Sequence, residues 1–109
     1  MASSQDYVAY IIEQLKEAGP VSAKRMFGEY GLFFEGKYFA CICDNRLFVK
    51  ITPAGEALMP NALRDYPYPG ARLMFMIEEP ENQWLMQQLI AATCAQLPWP
   101  RERKRKAHV

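Results

Sequence analysis

The chain has one histidine among its 109 residues, His108, next to the C-terminus. A Ser-His-Asp or Cys-His arrangement would have to borrow that terminal residue, and catalysis needs its groups held in register. No other constellation of nucleophile and base stands out, so the expectation is a protein that is not an enzyme. Redox-active Cys-x-x-C spacing is missing, as are the P-loop and the dinucleotide-binding glycine pattern. No apolar run approaches the roughly 20 residues of a membrane span. The N-terminus, MASSQDYVAYII, lacks a basic stretch followed by an apolar one, so no signal peptide is read. Three cysteines is an odd count, and free thiols in a reducing cytoplasm are expected. Cys41-x-Cys43 would put two thiols on one side of a strand. A zinc site would have to recruit Cys94 or His108, so the pair is read as core rather than as metal ligands, and no cofactor is expected.

Half the residues are hydrophobic, enough for one compact domain without disulfide or metal. The domain is taken as residues 1–97, with 98–109 as a basic, flexible tail. The net charge of +1 hides an asymmetry. RERKRK, residues 101–106, carries five positive side chains and one negative, which leaves the body mildly acidic. Only this tail, with Arg101, Arg103, Lys104, Arg105 and Lys106, looks suited to weak, non-specific contact with nucleic acid.

Apolar spacing predicts a helix over 5–18, with Ser3 as its cap and Gly19-Pro20 as its stop. Strand signals follow at 21–27, 31–35, 38–43 and 46–51. Gly36 and Asp44-Asn45 mark hairpin turns, while Gly28-Glu29-Tyr30-Gly31 reads as an interruption. In RLFVKI, Leu47, Val49 and Ile51 alternate with Arg46, Phe48 and Lys50. Thr52-Pro53 opens a short helix to 63. Residues 64–71 read as a Pro/Tyr loop, 72–77 as a strand and 80–96 as a helix, with Glu78 and Glu79 favouring its start. The fold expected is α+β, a two-layer sandwich of one antiparallel sheet with helices on one face, in the order α-β(3/4)-α-β-α.

KRMFGEYGLFFEGKYFACI, residues 24–42, packs three glycines and six aromatics into one stretch. Its Gly28-x-x-Gly31 precedes a strand rather than a helix, so it reads as a bend in a sheet and not as a phosphate grip. Lys24, Arg25, Tyr30, Lys37, Arg46 and Lys50 form a candidate basic, aromatic-lined face, against which stands the plainer reading of a solvated sheet surface.

This stretch with RLFVKI resembles the N-terminal domain of TfoX, a family of bacterial competence regulators. The similarity falls on Arg25, Met26, Phe27, Gly28, Tyr30, Gly31, Leu32, Phe33, Gly36, Phe39, Ala40, Leu47, Phe48 and Lys50, and extends over roughly residues 5–97. It implies an α-β(3)-α-β-α fold similar to type III secretion chaperones, and a non-enzymatic protein-interaction role in transcriptional regulation. The two-domain members carry a further helical domain where this chain has its basic tail. As such a module it is expected to contact a protein partner, with homodimerisation through exposed sheet edges and no membrane contact. The alternative is a small-ligand or peptide-binding domain whose pocket is lined by the loop 66–70 and the aromatic hairpin.

Overall fold

The computed structural model describes residues 3–98. Helix α1 (Gln5–Leu15) is followed by a 3-10 turn over Lys16–Ala18, and four strands then run in succession: β1 (Val21–Met26), β2 (Glu29–Phe34), β3 (Lys37–Cys43) and β4 (Arg46–Lys50). Helix α2 (Pro53–Leu58), the short β5 (Arg64–Asp65), β6 (Met74–Ile77) and α3 (Gln83–Gln96) complete the order. The result is an α+β fold with one six-stranded antiparallel sheet, ordered β1-β2-β3-β4-β6-β5.

Three two-residue turns fold β1–β4 into a meander. Phe27-Gly28, Glu35-Gly36 and Asp44-Asn45 all have φ between 51° and 82°. Two consecutive positive φ values match the right-handed twist of the paired strands, which is why Gly and Asn recur here. Gly28 is therefore a turn residue, and Glu29–Gly31 belongs to β2 rather than interrupting a strand. Gly31 serves a different purpose: a Cβ there would collide with the Met26 thioether and stand 3.1 Å from the Tyr38 ring.

Alternation along the strands sorts the sheet into two faces. One carries Leu32, Phe39, Ala40, Ile42, Leu47, Val49 and Phe75, packed with Val8, Ile11 and Leu15 of α1 and Met86, Leu89 and Ile90 of α3. A register shift at Leu32/Phe33 admits Phe39 and Ala40 side by side into this core. The other face holds a smaller cluster of Cys41, Cys43, Phe48 and Met74, flanked by Tyr38 and Met76.

Several boundaries differ from the sequence reading, each for a local reason. Ser4, not Ser3, caps α1 by accepting from the Tyr7 N–H at 3.1 Å. Ser3 instead accepts from the Asn45 N–H. Helix α2 ends at Leu58 because Met59 precedes Pro60 and is driven out of helical geometry. Asn82 caps α3 through the Leu85 N–H, so the helix starts at Gln83 and Glu78 and Glu79 lie ahead of it. Residues 64–71 are not all loop, since Arg64 and Asp65 pair with Phe75 and Met74. No helix among the described residues is long and apolar enough to cross a membrane.

Glu29 fastens the N-terminal segment to the sheet. Its carboxylate accepts from the Ser3 N–H at 3.0 Å and the Asp44 N–H at 2.8 Å. Burial pushes this carboxyl up, but the hydrogen bonds from Asp44 and Ser3 outweigh it and hold the group below its ordinary value. A depressed carboxyl contributes stability that is complete above the unfolded pKa, near 4.5, and fades as pH falls through the folded value. Glu29→Gln is thus expected to cost about 1 kcal/mol at pH 7. In urea titrations, the gap between variant and parent should narrow below pH 4.5; a gap constant to pH 3 would contradict this account.

Candidate surface at the first hairpin

The turn joining β1 and β2 places Phe27 at the tip of the sheet. Its side chain is 92% exposed and its φ is 51°. Both facts run against ordinary preference. A large apolar ring gains nothing from solvent, and a bulky residue in the left-handed region is strained. Asn and Gly suit that turn position better.

Behind the tip lies a groove of about 560 Å³. The hairpin supplies Met26, Tyr30 and Gly31, β3 supplies Tyr38, Cys41 and Cys43, and the loop supplies Pro67, Tyr68 and Pro69. The Pro/Tyr loop and the aromatic hairpin thus meet across one concavity. Tyr66 and Tyr68 of that loop are exposed.

The six residues of the candidate basic face do not gather on one surface. Lys24, Arg46 and Lys50 lie on the face of the smaller cluster, each over an aromatic ring. The cation-to-centroid distances are 5.4 Å to Phe33, 4.9 Å to Phe48 and 4.6 Å to Tyr38. Arg46 also meets Asp65 at 3.4 Å. Burial and the Arg72 charge pull the Lys50 amine below its ordinary value. Arg25 and Tyr30 face the helical side, and there Arg25 Nη1 donates to the Tyr30 hydroxyl at 3.2 Å. Lys37 is buried, and its Nζ donates to the Cys94 carbonyl in the last turn of α3 at 2.8 Å. The rings on which a base would stack therefore already carry cations of the chain itself. Of the motif residues, Phe39 and Ala40 are core, Gly28 and Gly36 are turn residues, and Met26 and Tyr30 border the groove. Arg101, Arg103, Lys104, Arg105 and Lys106 lie outside the described residues.

Sequence reasoning passed over Glu29 as a brace and Met74 and Met76 as neighbours of the cysteines. The methionines were detectable: Met74-x-Met76 repeats the two-residue spacing of Cys41-x-Cys43, which puts both pairs on one strand face. Cys41 Sγ lies 3.9 Å from Met74 Sδ and 4.0 Å from Cys43 Sγ. Burial above all pushes the Cys41 thiol up to about 12, and burial raises Cys43 as well.

An open antiparallel sheet with helices, a strained aromatic tip and a groove beside it make up a small α+β domain. The TfoX N-terminal domain model matches residues 13–88, and the chain belongs to that family. It is also 38% identical over 110 residues to a protein of Spirochaeta aurantia described as an uncharacterized 12.7 kDa protein in the trpE 5′ region. That alignment covers 97% of this chain and 93% of the relative.

Proposed function

We propose that this is a non-enzymatic, cytoplasmic protein-interaction module in transcriptional regulation of the competence type, and that it holds its partner at the β1–β2 hairpin. The regulatory part rests on family membership. The contact rests on one observation, the exposed Phe27 ring at a strained turn position. Backbone strain that stability does not reward tends to be kept where function uses it. The partner's chain lies along the open edge of β1 and closes over Phe27 and the groove. A second copy of this chain fits the same edge, which would give a homodimer. The basic tail adds weak, salt-sensitive contact with nucleic acid.

Phe27→Asn separates stability from binding. Asn accepts the left-handed conformation, so the variant should gain about 0.5–1 kcal/mol in denaturant titrations. It should also lose the partner that a photo-crosslinking residue placed at position 27 captures. A destabilised variant, or one that still captures that partner, would count against the proposal. A small-ligand role for the same groove predicts instead that Tyr68→Ala, and not Phe27→Asn, abolishes binding.

A further inference from the structure

We propose that the cavity beside the 67–73 loop binds a small organic phosphate, a phosphate monoester on a planar body, through Lys50 and Arg72. The cavity measures about 690 Å³, inside the usual range for small-molecule sites. Lys50 enters it from the end of β4 and Arg72 from the stretch before β6. Tyr38 and Tyr68 supply ring walls, and Ile51 and Leu73 add aliphatic surface. The cavity shares Tyr38, Pro67 and Tyr68 with the groove at the first hairpin, but neither Met26 nor Phe27 borders it.

The charges select the ligand. Arg46 and Arg64 each meet a carboxylate, Asp65 and Glu56 respectively. Among the described residues neither Lys50 nor Arg72 forms an ion pair. Lys50 is half-buried, with its ammonium 4.6 Å from the centroid of the Tyr38 ring. Burial and the Arg72 charge both lower its amine, so the charge that acts on it has its own sign. A merely solvated surface would be more stable with the two cations apart or a carboxylate between them. A phosphate dianion turns this one repulsion into two charge-assisted contacts, and the Arg72 fork can hold two of its oxygens at once. A carboxylate brings only one charge to the pair.

The loop holds its side of the site in place. Tyr68-Pro69-Gly70-Ala71 is a tight turn, closed by the Ala71 N–H donating to the Tyr68 carbonyl at 3.0 Å. Proline at its second position and Gly70, with φ 86°, at its third are the residues a type II turn demands. A Cβ on Gly70 would meet nothing within 4 Å, so glycine is there for its backbone and not for space. The turn fixes Tyr68 at its first position and Arg72 just past its last, which leaves less freedom to lose when a ligand arrives. Among the described residues no cation covers the Tyr68 ring, whereas Lys50 covers Tyr38. Tyr68 is therefore the ring on which a planar body can lie.

The test titrates phenyl phosphate into the full, isotope-labelled chain and reads amide NMR shifts, in a phosphate-free buffer of low salt at about pH 7.5, where the ester is close to a dianion. Saturable shifts are expected at Lys50, Gly70 and Arg72, with a Kd of about 1 mM or tighter, while Phe27 and Gly28 stay unmoved. Benzoate and inorganic phosphate should each bind about 10-fold more weakly. Lys50→Met and Arg72→Met should each weaken phenyl phosphate at least about 10-fold. Lys16→Met, which removes an exposed charge outside the cavity, should bind as the parent does. The same spectra show whether each variant folds. Should Lys50→Met fail, Arg72→Met carries the test, since Arg72 is exposed on a loop. No saturation by about 10 mM, shifts spread over the other lysines and arginines, or binding indifferent to both methionine variants would each overturn the site. So would benzoate or inorganic phosphate binding as tightly as phenyl phosphate. The hairpin surface stands or falls separately, because a protein adduct at position 27 requires neither Lys50 nor Arg72.

Discussion

Phe75→Ala is expected to remove about 3–5 kcal/mol of stability. That is a large share of the roughly 5–15 kcal/mol that holds a domain together. Phe75 is fully buried in the centre of β6, paired with Val49 on one side and Arg64 on the other. Its ring lies 3.1 Å from where a Cβ on Gly55 would sit, so α2 rests on it with no room to spare. The Arg64 guanidinium covers it at 5.2 Å and is itself held by Glu56 of α2 at 2.6 Å. Alanine would leave a cavity bounded by sheet and helices that cannot collapse without moving α2. The melting temperature should fall by about 15 °C or more. In urea the midpoint should drop with its slope unchanged, since the folded state stays as compact. A loss below about 1 kcal/mol would mean that α2 does not lean on this ring.

Lys37→Met is expected to cost about 2 kcal/mol, the range for a hydrogen bond from a charged donor. Lys37 reaches from the first position of β3 to the last turn of α3, where the Cys94 carbonyl otherwise accepts a long bond from the Leu97 N–H at 3.4 Å and lies at the negative end of the helix dipole. Methionine keeps the length of the stem and removes only the donor. Lys24→Met, on the exposed edge strand, should stay within about 0.5 kcal/mol. Equal stability losses for the two would show that the Cys94 carbonyl finds water as readily as it finds Lys37. The contrast bears on function too, because it assigns one of the candidate basic residues to holding the fold together.

Much of this architecture was legible in the sequence. The alternation of Leu47 and Val49 against Arg46, Phe48 and Lys50 gave the two faces of β4, and Gly36 and Asp44-Asn45 gave two of the three turns. Those signals are local, set by a period of two and by residues that accept positive φ. The first turn was harder to see because Phe occupies a position that Asn or Gly would announce. Strand β5 could not be read, since two residues carry no periodicity and owe their state to pairing with β6. Lys37 looked like a surface cation because nothing near it in sequence reveals that α3 ends above it. The sulfur cluster joins residues 33 positions apart and depends on strand order, which pattern alone does not specify.

The account rests most heavily on Phe27 as the contact with a protein partner. The direct measurement replaces residue 27 of the full-length chain with a photo-crosslinking amino acid and irradiates living cells. A parallel sample carries the same group at Glu13, an exposed position on α1. The account predicts one discrete protein adduct from position 27, absent from position 13 and retained at high salt. Equal adducts from both positions, or none from position 27, would contradict it.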